Sequence, residues 1–66
     1  MTVYVNDKPV EVPPGTALAD LLKAAGRDPA LALAAVDGKF VPRAEYRSCR
    51  PEAGAKVSAW ELPGGG

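Results

Sequence analysis

The residues with the clearest potential for chemistry are the last four, Pro63-Gly64-Gly65-Gly66. Three consecutive glycines have no side chains to pack, and glycine loses more backbone entropy on ordering than any other residue, so stability does not explain them. A chain end without Cβ atoms can pass through a narrow channel and carry its carboxylate into another protein's active site. Pro63 would fix φ where such a tail begins. The competing interpretation is a frayed terminus or an expression scar.

The rest of the composition argues against catalysis by this chain itself. Histidine is absent, which removes the usual acid/base group near neutral pH and the commonest metal ligand. The single cysteine, Cys49, excludes an internal disulfide and suits a reducing compartment. Cys49 could relay sulfur, but we expect its thiol to be inert. We therefore expect a substrate of other enzymes, with no bound metal or cofactor, rather than an enzyme.

Length and charge narrow the class of protein further. The 66 residues make one domain and leave no room for a cavity that encloses a substrate. Eight basic and eight acidic residues give a net charge of zero, which argues against nucleic acid and anionic membranes as partners. No run of apolar residues reaches the length of a membrane span or a signal-peptide core. We expect a cytoplasmic protein.

The N-terminal third predicts a β-hairpin followed by a helix. Thr2–Val5 reads as the first strand and Asn6-Asp7-Lys8 as the turn; Pro9 starts the return strand, which continues through Val12. A helix is expected over residues 17–25, with Thr16 as its N-cap and Gly26 as its C-terminal stop. Two apolar sets define the buried faces: Val3, Val5, Val10 and Val12 in the hairpin, and Leu18, Leu21, Leu22 and Ala25 in the helix.

The middle of the chain is more ambiguous. Residues 30–36 are rich in alanine and leucine, which favours a helix, whereas their short length and Asp37-Gly38 ending also permit a buried strand, which we prefer. Asp37-Gly38 would turn the chain into a short edge strand, Lys39-Phe40-Val41. Residues 44–50 are expected to be irregular or to form one helical turn, with Tyr46 as their anchor.

The final strand is predicted over residues 56–62. Alternation sends Val57 and Ala59 to one face, and Ser58, Trp60 and Leu62 to the other. If the valine side covers the helix, Trp60 and Leu62 lie on the outer face of the sheet, and alternation places Tyr4 there too. Exposed apolar residues of this kind mark a partner surface; the alternative is that Trp60 shields the sheet edge or faces the core.

This order of elements is that of an α+β, ubiquitin-like β-grasp domain, with a mixed sheet of four or five strands packed on one main helix. The final strand is central in this arrangement. We therefore expect a folded domain over residues 1–62 and a flexible glycine tail over residues 63–66.

Several short motifs, in their order and spacing, resemble the ThiS family of small bacterial sulfur carrier proteins of thiamine biosynthesis, within the wider ThiS/MoaD group. The likeness runs over essentially the whole chain and favours a strand at 30–36. It departs from the family at Ala17, where a second threonine or similar cap is common, and in ending on three glycines rather than two. The motifs are Val3-Tyr4-Val5-Asn6, Gly15 to Leu22, Ala34 to Gly38, Val41-Pro42-Arg43, Tyr46 and the Gly65-Gly66 end.

The resemblance implies a chemistry and a set of partners. The Gly66 carboxylate would be adenylated with ATP and magnesium by a separate activating enzyme, with Gly64 and Gly65 threading into its active site. Sulfur from a cysteine-desulfurase persulfide would make a thiocarboxylate that thiazole synthase consumes. Alternatives are sulfur carriage for molybdopterin, tRNA thiolation or cysteine synthesis, and a ubiquitin-like modifier joined to lysines through Gly66. A noncovalent binding module would leave the glycine end unexplained.

Overall fold

The computed structural model describes residues 1–62, and in this part of the chain a single five-stranded sheet packs on one α-helix. The strand order is β2-β1-β5-β3-β4; β1 and β5 run parallel, and the other neighbouring pairs are antiparallel. The elements are β1 (Thr2–Val5), β2 (Lys8–Glu11), α1 (Leu18–Ala24), β3 (Leu33–Val36), β4 (Lys39–Val41), a 3-10 turn (Arg43–Glu45) and β5 (Lys56–Trp60).

Two tight turns of the same kind build the two hairpins. Asn6 and Asp7 connect β1 to β2 with φ of 51° and 68°, and Asp37 and Gly38 connect β3 to β4 with φ of 49° and 83°. Positive φ at both central residues is the type I′ pattern, whose twist matches that of the strands it joins. Asn, Asp and Gly tolerate this conformation best, so the sequence determines both turns locally.

The core lies between α1 and the inner face of the sheet. Leu18, Leu21 and Leu22 are 0–1% exposed and pack with Val3 of β1 and Val57 of β5. Burying side chains of this size stabilises the fold by roughly 1.5–3 kcal/mol each. The predicted buried face of the hairpin is confirmed for Val3, Val5 and Val12, whereas Val10 is half-buried.

The two ends of α1 are stabilised in different ways. At the C-terminal end, Gly26 has φ of 79°, and the N–H groups of Gly26 and Arg27 donate to the carbonyls of Lys23 and Leu22 at 3.0 and 2.8 Å. This is the glycine stop that the sequence predicted. At the N-terminal end the prediction was wrong: Ala17 occupies the N-cap position, and its side chain makes no capping bond. The Thr16 hydroxyl donates backwards to the Pro13 carbonyl at 2.6 Å.

Backbone carbonyls from the loop after β4 replace the missing side-chain cap. The Leu18 N–H donates to the Cys49 carbonyl at 2.8 Å, and the Ala19 N–H donates to the Tyr46 carbonyl at 3.0 Å. The first N–H groups of a helix have no partner within it, and these two carbonyls satisfy two of them. Tyr46 is the predicted anchor of this loop: it is 3% exposed, and its hydroxyl donates to the Ala32 carbonyl at 2.7 Å.

Three predicted strand boundaries need correction. The segment at 30–36 is a strand only from Leu33, because Asp28 holds the preceding residues in a turn: its side chain accepts from the Ala30 N–H at 2.9 Å. The return strand of the first hairpin begins at Lys8 and ends at Glu11, one residue before the predicted start at Pro9 and one before the predicted end at Val12. The last strand ends at Trp60, two residues before the predicted end.

The architecture otherwise matches the α+β prediction. A hairpin, one main helix and a final strand placed beside the first are all present, and the sheet has five strands. Neither the helix nor the 3-10 turn within residues 1–62 has the length and hydrophobicity of a bilayer-spanning helix.

Candidate functional site

Strand β5 is the last regular element of the described chain and the central strand of the sheet. It lies between β1 and β3, which together cover both of its edges. The chain leaves this strand at Trp60 and continues through Glu61 and Leu62. The predicted reactive residue Gly66 and the threading residues Gly64 and Gly65 lie outside the described residues. The last described element before these residues is therefore a strand that is paired on both of its edges.

The turn between β3 and β4 fixes the start of β5. The Asp37 N–H donates to the Lys56 carbonyl at 2.8 Å, and the Lys56 N–H donates to Asp37 Oδ1 at 2.9 Å. The side chain thus supplies an acceptor that the backbone of the turn no longer offers. This pair extends the β3–β5 ladder by one step beyond the pairing of Val36 with Val57.

The turn between β1 and β2 fixes the other end of β5 in the same manner. The Asn6 N–H donates to the Val57 carbonyl at 2.9 Å, after which the backbone of β1 turns away from β5. The Asn6 side chain then bonds Ala59 twice: Nδ2 donates to the Ala59 carbonyl, and Oδ1 accepts from the Ala59 N–H, both at 2.9 Å. A side-chain amide therefore acts as one more peptide unit of the parallel ladder.

The predicted partner-surface residues are all exposed. Tyr4, Trp60 and Leu62 have 40%, 39% and 62% of their surface accessible. Buried neighbours flank Tyr4 and precede Trp60, so these two side chains lie on the outer face of the sheet, opposite α1. This agrees with the predicted orientation; whether a partner binds there stays a prediction.

The structure does not bring Tyr4 and Trp60 together. Tyr4 is paired with Lys56 across the parallel β1–β5 ladder, and Trp60 lies four residues further along β5. At about 3.3 Å per residue, that separation is roughly 13 Å along the strand. Trp60 therefore lies at the end from which the chain leaves the sheet, whereas Tyr4 lies near the start of β5.

The residues that accompany Trp60 were missed in the sequence. Leu33 is directly opposite Trp60 across the β3–β5 ladder, and Phe40, on the neighbouring edge strand, is 59% exposed. We call Trp60, Leu33 and Phe40 the outer apolar patch. Phe40 pairs with Ala35, whose partner on β5 is Ser58, so only small side chains separate Phe40 from β5 on this face. The Asp37-Gly38 turn predicted the second hairpin. The pairing register that this turn sets would have placed Phe40 on the same face of the sheet as Leu33 and Trp60.

Cys49, the candidate for a sulfur relay, has a structural role at the start of α1. It is partly buried and packs against the core, and its carbonyl accepts from the first residue of α1. Burial raises the pKa of the Cys49 thiol, and the negative charge of Glu45 raises it further. A raised pKa disfavours the nucleophilic thiolate. Within residues 1–62, no group of three His, Cys, Asp or Glu side chains is placed to hold a metal ion.

The fold has a close counterpart among solved structures. The chain is similar over 100% of its length, and over 100% of the other chain, to the crystal structure of the thiamine biosynthesis protein ThiS from Geobacter metallireducens, with a TM-score of 0.81 and 23% sequence identity. No protein-family model matches this sequence, and no curated protein matches it significantly. At this identity the likeness shows the fold, and the chain is a ubiquitin-like β-grasp protein of α+β class.

Proposed function

We propose that this protein is a sulfur carrier of thiamine biosynthesis, which carries sulfur as a thiocarboxylate on Gly66. The observation that carries the proposal is the similarity to a thiamine biosynthesis protein over the whole of both chains, combined with three consecutive glycines, residues 64–66, that follow the central strand after three intervening residues. A strand paired on both edges and a segment of glycines without side chains suit a carboxylate that other proteins must reach.

The first step of the proposed chemistry is activation by a separate adenylating enzyme that uses ATP and magnesium. A carboxylate oxygen of Gly66 attacks the α-phosphorus of ATP, the bond to the bridging oxygen breaks, and pyrophosphate leaves. The product is a mixed anhydride in which AMP is a good leaving group. The glycines matter here because the enzyme must close around the acyl group, and side chains at 64 and 65 would collide with that channel.

The second step places sulfur on the acyl carbon. The terminal sulfur of a persulfide, formed on a cysteine desulfurase or another donor, attacks the acyl adenylate and AMP leaves. A thiol then cleaves the sulfur–sulfur bond, which releases the thiocarboxylate and leaves the donor sulfur in a disulfide. Thiazole synthase is the proposed acceptor. In this scheme the chain is a co-substrate and not an enzyme, and it acts in a reducing compartment, the cytoplasm.

Residues 1–62 have the role of recognition in this proposal. Partners would bind the outer face of the sheet through Tyr4, Trp60 and Leu62, and the outer apolar patch adds Leu33 and Phe40 to that surface. Aromatic side chains supply much apolar contact area for little loss of conformational entropy. The charge balance of the chain agrees with a surface that binds proteins rather than nucleic acid.

The proposal is tested by the intact mass of the protein after incubation with the adenylating enzyme, ATP, magnesium and a persulfide donor. Exchange of one carboxylate oxygen for sulfur adds about 16 Da, and fragmentation is expected to place the added mass on Gly66. A reaction without ATP serves as the control.

A variant that lacks Gly65 and Gly66 is expected to show no mass gain. A gain that survives this deletion, or no gain in the full-length chain, contradicts the proposal. If the thiocarboxylate forms but the protein fails to rescue a thiazole-requiring strain, the sulfur acceptor belongs to another pathway. Higher-mass conjugates on target lysines would instead identify a protein modifier.

A further inference from the structure

The side chain of Asn6 makes two hydrogen bonds that its position in the β1–β2 turn does not require. A type I′ turn needs positive φ at Asn6, and glycine or aspartate would supply that equally well. The side chain of Asn6 does something further: it pairs with both the N–H and the carbonyl of Ala59, 53 residues away. Ala59 is the last buried residue of β5 and the residue immediately before Trp60.

We propose that Asn6 is a positioning residue for the reactions of Gly66, because its amide fixes the point at which the chain leaves the sheet. This inference rests on the proposed function. Asn6 itself touches no reacting atom; it acts through Ala59 and β5. Without it, β5 would be paired beyond Val57 from the β3 side only, through the pairing of Ala59 with Ala34 and of Trp60 with Leu33.

The distance from Ala59 to Gly66 explains why a loosened strand end matters. The two residues are seven positions apart, since 66 − 59 = 7. Fully extended, seven residues span on the order of 24 Å, so loss of even one strand residue to the tail adds about 3.4 Å of slack. Misplacement of a reacting group by about 1 Å can lower a rate by 100-fold, although the enzyme's own contacts with the tail would absorb part of this. An effect of intermediate size is therefore expected.

The chain offers a matched control at the other end of the same strand. Asp37 also has a positive φ in a type I′ turn, and its side chain also accepts from a backbone N–H of β5. Its partner Lys56 is the first residue of β5, farthest from the tail. Asn6→Gly and Asp37→Gly each remove a side chain that bonds β5 while keeping a residue that tolerates the turn. They differ in which end of β5 they release.

The experiment measures ATP–pyrophosphate exchange by the adenylating enzyme that activates thiamine sulfur carriers in the same organism, as a function of carrier concentration. For Asn6→Gly we expect kcat to fall about three- to tenfold while KM for the carrier stays within about twofold, because the proposed partner surface on the outer face of the sheet is unchanged and only the delivery of the carboxylate is impaired. For Asp37→Gly we expect kcat within about twofold of the wild type. Asn6→Asp keeps the acceptor for the Ala59 N–H but sets a carboxylate oxygen against the Ala59 carbonyl, so its kcat is expected to fall at least as far as that of Asn6→Gly.

The outcomes separate the two ideas. Wild-type chain that supports no exchange overturns the proposed function, and the inference with it. An active wild type with an unchanged kcat in Asn6→Gly overturns the inference alone, and so does an equal loss of kcat in Asp37→Gly, since that would be a general effect of destabilising β5. If Asn6→Gly does not fold at the assay temperature, Asn6→Asp carries the test, and a kcat equal to that of the wild type overturns the inference.

Discussion

The Cys49 thiol illustrates how the environment of one residue decides between two roles. Cys49 packs against the core, and its backbone carbonyl is occupied at the start of α1. Burial, and then the charge of Glu45, raise the pKa of the thiol. The folded state therefore holds the proton more tightly than the unfolded state does. The free energy of unfolding is highest below the pKa of the unfolded thiol and decreases as the pH rises from that value towards the folded pKa.

We predict that alkylation of Cys49 by iodoacetamide has an apparent pKa above that of a free thiol, because alkylation requires the thiolate. The rate measured between pH 7 and pH 10 should lie below that of the same protein unfolded in urea, and the ratio of the unfolded rate to the folded rate should be largest below the pKa of the unfolded thiol. Cys49→Ser should accept sulfur on Gly66 at the wild-type rate. An apparent pKa below that of a free thiol, together with loss of sulfur transfer to Gly66 in Cys49→Ser, would instead support a sulfur relay through Cys49.

Individual residues differ in how far the sequence reveals them. Alternation in two short strands was enough to place Tyr4 and Trp60 on the outer face, because a strand has a period of two. The turn role of Asn6 was equally local. Its bonds to Ala59 were not predictable, because no local pattern connects residues 53 positions apart. The side chain becomes informative only when the register of β1 against β5 is known.

Among the elements, α1 shows the limit of reasoning from local motifs. Its apolar stripe and its glycine stop were predicted, since both follow from the helical period and from backbone conformation. Thr16 looked like an N-cap because hydroxyl residues commonly have that role. The structure instead satisfies the first N–H groups with carbonyls of Tyr46 and Cys49, which fold back from the loop after β4. Tertiary contacts replaced the local cap, and the sequence around Thr16 holds no trace of them.

We predict that the anchor of this loop contributes more to stability than the residue that looked like the cap. Tyr46→Phe removes a buried hydroxyl and leaves the Ala32 carbonyl without that donor, which should lower the free energy of unfolding by about 1–2 kcal/mol. Thr16→Ala removes only an exposed bond to Pro13 and should cost no more than about 0.5 kcal/mol. Urea denaturation of both variants measures the difference. A larger loss for Thr16→Ala would mean that the hydroxyl supports α1 after all.

At the scale of the whole molecule, the last strand of the chain occupies the middle of the sheet. β5 pairs with β1 and β3, so the two hairpins are joined into one sheet only through β5. Folding must therefore bring together residues far apart in sequence, such as Val5 and Val57. The strand that joins the two hairpins is also the strand from which the chain continues towards Gly66.

This arrangement predicts that stability and chemistry can be separated at Leu62. A chain that ends at Leu62 should unfold at the same urea concentration and with the same m-value as the full-length protein, because residues 63–66 follow the last strand and three of the four have no side chain to bury. The same truncation should abolish the mass gain of about 16 Da, since the acyl group that sulfur would join is gone.

The control is Val57→Ala within β5. Val57 is 2% exposed, and its truncation should cost about 2 kcal/mol while leaving Gly66 a substrate under folding conditions. If loss of residues 63–66 instead lowers the free energy of unfolding by more than about 1 kcal/mol, the tail belongs to the fold, because surface changes that touch no buried contact stay within about 0.5 kcal/mol. The division into a domain over residues 1–62 and a tail that serves only chemistry would then be wrong.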